Sequence, residues 1–344
     1  MKKNPYSRMF GKEPSQIVPR VVQIEEIIQT FLEDMPSSQI YMITGVRGSG
    51  KTVLMTEIAN RFRKEESFIV VELNPARDLL EGLAARLYNE KSLVAMFKRA
   101  KIDLSFFGIG VEISGSNPVT DIEVALGRML EQLKQKGKKL LITIDEVVSS
   151  PDMKTFASAF QIFVRQDYPI MLLITGLYEN IDTLQNDKIL TFLHRAPKVY
   201  LKPLNTGRMA THYEKTFAIS PDEAREMARL TRGYPFAFQV LGYYTYEKRG
   251  DFHAAIPETR LYLEEYAYDK IWSELSTTDR KIVAAMAKTG YEKVADIRRE
   301  TGMESNEFSP YRDRLVKKGI VDGEERGYLR FILPFFEDYV LDHT

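Results

Sequence analysis

The sequence predicts an α/β protein built in three layers, a parallel sheet with helices on both faces, followed by purely helical and then mixed segments. Three observations carry that prediction. Short apolar runs alternate with helix-period stretches from residue 39 to about residue 204, the pattern of a sheet wound with crossover helices. The runs are almost continuously apolar, as strands covered on both faces must be. From Asn205 to about Trp272 the strands disappear and the pattern is helical, enriched in Tyr and Phe.

Residues 1–38 hold a Pro-bearing irregular stretch, Phe10-Gly-Lys-Glu-Pro-Ser-Gln-Ile-Val-Pro-Arg20, and then a helix from about Gln23 to Glu33. Residues 39–204 form the core. Its expected strands are Ile40–Thr44, Ser67–Leu73, Lys139–Ile144, Ile170–Thr175 and Lys198–Leu201. Its expected helices are about Lys51–Lys64, Ala76–Asn89, Thr120–Lys136, Asp152–Gln166 and Tyr178–Asp187. One segment breaks the rhythm. Ile102, Leu104 and Phe106 alternate with polar residues, Phe107-Gly108 turns, and Ile109, Val111 and Ile113 alternate again. This reads as a β-hairpin inserted at about 101–114, open between packing on a neighbouring helix and contacting a partner.

A helical lid is expected over 205–273 and a third unit over 274–344. There Ser276-Thr-Thr-Asp279 caps a helix at Arg280–Lys288. A second follows at Val294–Thr301 and a third at Glu307–Lys318, stopped by Gly302 and Gly319, and a short hairpin runs from Ile320 to Ile332. Three helices and a hairpin in that order make a winged helix. In DNA-binding versions the third helix enters the major groove, which nominates Arg312, Arg314, Lys317 and Lys318. Acids such as Asp296, Glu300, Asp313 and Glu325 nearly cancel the local bases, whereas a DNA module normally carries a basic excess. The unit stays open between contacting DNA and docking protein.

Composition narrows the chemistry. With 48 basic and 48 acidic residues the net charge is zero, so any nucleic-acid contact has to come from a local patch. The absence of cysteine excludes disulfides, thiol catalysis and thiolate-bound metals, and accords with the cytoplasm. Four scattered histidines offer no metal-ligand spacing. No apolar run approaches 18 residues, so no membrane helix is expected. The opening Met-Lys-Lys-Asn-Pro-Tyr-Ser-Arg lacks the apolar stretch of a secretory signal.

The chemistry concentrates at two strand ends. Gly45-Val46-Arg47-Gly48-Ser49-Gly50-Lys51-Thr52 is a complete phosphate-loop pattern, with a strand before it and a helix from Val53 onward after it. Glycines at 45, 48 and 50 let the backbone wrap a polyphosphate with its N–H groups inward, and the next helix aims its positive dipole end at the same anion. Lys51 is expected on the β- and γ-phosphates, and the Thr52 hydroxyl on Mg²⁺. About ninety residues on, Lys138-Lys-Leu-Leu-Ile-Thr-Ile-Asp145-Glu146 is a buried strand ending in two carboxylates, a Walker B pattern. Asp145 is expected to hold Mg²⁺ and Glu146 to act as base toward the attacking water. Thr175 ends the following strand. It is open between bonding the water or γ-phosphate, in a sheet of the additional-strand type, and capping the strand. Arg195 is open between a finger reaching a neighbouring subunit's γ-phosphate, which implies a homo-oligomer, and a surface ion pair.

On these residues the chain resembles AAA+/STAND-related P-loop ATPases of prokaryotes, an origin-recognition-like group with a C-terminal winged helix. The resemblance implies ATP and Mg²⁺ as cofactors. It implies that Pro19 and Arg20, in the opening segment, line the adenine pocket. Thr231-Arg-Gly-Tyr-Pro235 resembles a lid Gly-x-Pro motif, which implies Pro235 near the base and Arg232 as a γ-phosphate sensor. Initiators place that arginine within a helix, whereas the Gly-x-Pro arrangement is that of STAND proteins. The expected function is an ATPase acting as a conformational or assembly switch. The alternatives are a STAND-like signalling or defence switch with a protein partner, and an ATP-gated DNA-binding protein of a mobile element or replication system.

Overall fold

The computed structural model describes residues 3–8, 17–110, 118–290 and 292–344. The chain divides into two compact units. One is Val21–Thr44 with Leu54–Val199; the other is Met1–Arg20, Gly45–Val53 and Tyr200–Thr344.

The first unit is the sheet with its helices. Its strands are β1 (Ile40–Thr44), β2 (Phe68–Leu73), β3 (Lys139–Ile144), β4 (Ile170–Gly176) and β5 (Lys198–Tyr200), which reaches one residue into the second unit. They lie in the order β2-β3-β4-β1-β5. β2 with β3, β3 with β4, and β4 with β1 are parallel, in registers that set Leu140 beside Ile170 and Ile40 beside Leu172. Every residue of β1 and β4 is buried, and every residue of β3 except Lys139. These continuously apolar strands become central because only a doubly covered sheet shields both of their faces. The helices Val21–Leu32, Leu79–Asn89, Ile122–Gln135, Pro151–Arg165 and Tyr178–Gln185 belong to this unit. Asp78, Asp121 and Ser150 start three of them by accepting the N3 amide, and Pro151 fills the first turn after Ser150.

The expected hairpin at 101–114 needs correction in its first arm. Val94–Arg99 is a short helix, and Ser105–Phe107 is a single 3₁₀ turn closed by Gly108 in the left-handed region. Ile102, Leu104 and Ile109 all bury into the apolar core. The buried Asp103 carboxylate accepts the Ser105 amide, which starts a turn where a ladder was expected. The second arm, with Val111 and Ile113, lies outside the described residues.

The second unit is mainly helical. Helices Thr206–Phe217, Pro221–Leu230, Pro235–Glu247 and Ile256–Leu263 lead through a π turn at Glu264–Tyr268 into Asp269–Ser273. Helices Thr277–Thr289, Val294–Thr301 and Ser305–Lys318, a two-stranded hairpin of β6 (Val321–Asp322) and β7 (Arg330–Phe331), and a last helix Phe336–Asp342 follow. One apolar cluster joins Val240, Leu263 and Ile271 to Ile282, Leu315 and Phe336, so the expected boundary at residue 273 falls inside a shared core. No helix among the described residues is long and apolar enough to cross a membrane.

Candidate nucleotide site

The phosphate loop follows β1 and runs into the helix Lys51–Phe62. Gly48 and Gly50 take φ of +71° and +89°, a backbone that residues with a Cβ adopt only under strain. At Gly48 space is also lacking, because a Cβ would stand 2.4 Å from the Tyr234 hydroxyl and 2.8 Å from Phe236 Cβ. At Gly50 a Cβ would meet nothing within 4 Å. The Ser49 amide donates to Val46 O at 3.2 Å and tightens the turn. Lys51, only 8% exposed, folds its ammonium over the loop and donates to the Gly45 and Val46 carbonyls at 2.9 and 3.1 Å. Thr52 and Val53 follow it in the first helical turn, both half-buried. The Ser49 hydroxyl is buried with no hydrogen-bond partner among the described residues. Left-handed glycines, a clenched lysine and an orphan hydroxyl at a helix start fit a polyphosphate.

Arg20 reaches this loop from the opening segment. Its Nη2 donates to Ser49 O at 3.2 Å, and burial brings its pKa down to about 10, so it remains a charged guanidinium short of water. Pro19 is exposed, and its carbonyl accepts from Arg208 at 3.4 Å. Phe10, Gly11 and Pro14 lie outside the described residues.

The carboxylate end belongs to the sheet unit. β4 lies between β1 and β3, with Thr175 beside Ile43 and Ile174 beside Ile144. Thr175 is fully buried, and its hydroxyl donates to Asp145 Oδ1 while accepting the Glu146 amide, the latter at 3.2 Å. The Val147 amide bonds Thr175 O at 2.9 Å. Glu146 is therefore turned out at a φ of +52° with its side chain exposed, whereas Asp145 is half-buried. A glutamate in this region is strained backbone, the kind that a surrounding network has to hold in place. Thr175 thus engages the two carboxylate residues. Arg195 ends a 3₁₀ turn, Thr191–Arg195, before β5, exposed and without an ion pair among the described residues.

Arg232 and Pro235, both expected at the nucleotide, have the following settings in the second unit. Arg232 is committed to the C-terminal segment, where Nη1 donates to Phe331 O and Leu333 O at 3.2 Å and pairs with Glu337 at 2.6 Å. Its φ is +49°, and a Cβ on the next residue, Gly233, would stand 2.5 Å from Leu204 O. Pro235 is the first residue of a helix, where a missing N–H is harmless. The lid residue that does meet the loop is Tyr234, whose hydroxyl donates to Arg47 O at 2.6 Å. The Arg47 guanidinium pairs with Glu274 at 2.9 Å. Glu274 follows the helix Asp269–Ser273, where Trp272 carries the Arg280 guanidinium over its ring at 5.3 Å. Neither Tyr234 nor Glu274 was legible in sequence. Tyr234 stands inside the quoted lid motif, yet nothing local links it to residue 47.

The nominated DNA helix is likewise engaged internally. Asp279 is fully buried, and Arg314 and Lys318 approach its carboxylate at 2.7 and 3.6 Å. A buried carboxylate has to be neutralised in place, which takes both cations out of the groove-reading set. Arg312 donates to Gly323 O at 2.8 Å, and Lys317 alone of the four is exposed.

The model of an ATPase domain found predominantly in Archaea matches residues 18–191, just over half of the chain. The chain belongs to that family. Residues 265–340 of this archaeal-type ATPase also match a domain of unknown function (DUF8462). An uncharacterized ATP-binding protein of Methanocaldococcus jannaschii, MJ1301, is 29% identical over 149 residues, covering 39% of this chain and 37% of that relative. The chain therefore spans little more than a third of that relative's length. Among solved structures, the Walker-type ATPase PABY2304 of Pyrococcus abyssi aligns with a TM-score of 0.64 at 18% identity, over 94% of this chain and 96% of that one. The Aeropyrum pernix ORC2 protein, in its ADPNP–ADP complexes, aligns with a TM-score of 0.62 at 15% identity, over 98% and 97%. At these identities the likeness is one of fold, and it confirms the P-loop ATPase architecture.

Proposed function

We propose that this archaeal-type ATPase hydrolyses Mg-ATP and uses the bound nucleotide as a switch for its C-terminal helices. The observation that carries the reading is the phosphate loop itself. A buried lysine held by two loop carbonyls, between left-handed glycines and a helix start, is built for a polyphosphate. Mg²⁺, when bound, would supply neutralising charge to the phosphates, and the Thr52 hydroxyl and the Asp145 carboxylate are each an oxygen donor of the kind it prefers. Lys51 supplies fixed positive charge to the transferred group. Glu146 accepts the proton as water bonds to the γ-phosphorus and the bond to the bridging oxygen breaks, releasing ADP and phosphate. Thr175 orients Asp145 and the Glu146 turn. Arg195, exposed before β5, is free to serve a neighbouring copy.

For the C-terminal segment we favour a protein partner over DNA, since Arg314 and Lys318 are already neutralised by Asp279. Calorimetry with Mg-ATP tests the core of the reading: wild-type protein is expected to bind, and Lys51→Ala to lose at least a hundredfold in affinity. Equal heats from both proteins would reject it. A gel shift at low and physiological salt tests the partner, because ATP-dependent, salt-sensitive DNA binding would overturn the preference for protein.

A further inference from the structure

The peptide unit joining Arg47 to Gly48 is gripped from outside the loop by groups far along the chain. Tyr234 is 1% exposed and gives its hydroxyl to the Arg47 carbonyl. The guanidinium of the same arginine is tied through Nε and Nη2 to Glu274 at 3.3 and 2.9 Å. Gly48 lies so close under Tyr234 and Phe236 that no Cβ fits. Val46 belongs to the apolar cluster of Tyr234, Phe236 and Ile271, and a Cβ on Gly319 would stand 3.4 Å from the Val46 amide nitrogen.

A trans peptide is planar, with C=O and N–H on opposite sides, and no peptide bond among the described residues is cis. A carbonyl of residue 47 held toward Tyr234 therefore turns the N–H of Gly48 the opposite way. In a loop that binds anions through its amides, the direction of one N–H is part of the affinity. We propose that Tyr234, with Glu274 holding the Arg47 side chain, is a positioning residue that aims the Gly48 N–H at bound phosphate. Phosphate binding is thereby linked to the helices Pro235–Glu247 and Thr277–Thr289, which flank the two gripping residues in sequence. This inference rests on the reading that residues 45–52 bind a nucleotide polyphosphate. It differs from a sensor arginine, since no lid side chain need touch the nucleotide.

Tyr234→Phe removes one hydroxyl and keeps the ring. It is expected to weaken ATP and ADP about fivefold to tenfold, the scale of one lost hydrogen bond. AMP, which lacks the phosphates the loop holds, should change less than twofold, so the ATP-to-AMP affinity ratio falls. Amide exchange by mass spectrometry should quicken in the peptide covering 45–50. Glu274→Gln changes a half-exposed side chain. It should shift the same ratio twofold to threefold, and less at high salt. Should Tyr234→Phe fail to fold, the Glu274→Gln ratio and exchange decide. Wild-type binding with an unchanged ratio in the folded variants, or equal weakening of ATP and AMP, overturns this inference alone. Failure of the wild type to bind Mg-ATP overturns the underlying reading with it.

Discussion

The turn after β3 and the loop after β1 carry the two halves of the candidate chemistry, yet they are fastened in opposite ways. Asp145 and Glu146 are set by Thr175, at the end of a strand paired directly with theirs. Residues 46–48 are set by Tyr234 and Glu274, about two hundred residues downstream. The first arrangement is local to β3 and β4, which are buried except at Lys139, so it shares the rigidity of the core. The second is only as fixed as the helices that supply it. Hydrolytic geometry and nucleotide affinity should therefore respond to different substitutions.

The largest separation is expected from Glu146→Gln, which should cut phosphate release a hundredfold to ten-thousandfold, as loss of a general base does, while ATP affinity by calorimetry stays within twofold. Loss of affinity on the same scale would break the distinction. Asp279→Ala leaves Arg314 and Lys318 beside an emptied, buried position, and urea unfolding should show about 3 kcal/mol of lost stability. A change near zero would return both cations to the surface as DNA-contact candidates. Thr175→Val keeps shape but removes the hydroxyl that orients Asp145, for about a tenfold drop in turnover with affinity preserved. Gly50→Ala sharpens the comparison at the small end. Its cost is backbone strain alone, about 1 kcal/mol in a thermal melt, whereas Gly48→Ala adds the collision with Tyr234 and Phe236 and should cost more.

The sheet was readable in advance because its strands are almost continuously apolar, and β1 and β3 begin and end where the pattern put them. The positions of Lys51, Asp145 and Thr175 were readable for the same reason, since each stands at a strand end or a helix start. What escaped was long-range. Alternation at Ile102 and Leu104 signalled burial but not its geometry, and the Asp103 turn made it a 3₁₀ corner. Arg232 looked like a sensor by motif, yet the Phe331 and Leu333 carbonyls and Glu337 claim it. The basic character of Ser305–Lys318 was plain, but the fate of its charges turned on Asp279, thirty-five residues from Arg314. Partners that depend on tertiary packing leave no local trace.

Trp272 is the single tryptophan in the chain and stands two residues before Glu274, half-buried and stacked under Arg280. Its indole emission is thus a native optical reporter beside the grip on the phosphate loop. Titrating the unlabelled protein with nucleotide and following intensity and wavelength would reveal strain in that connection, at submicromolar protein and in real time.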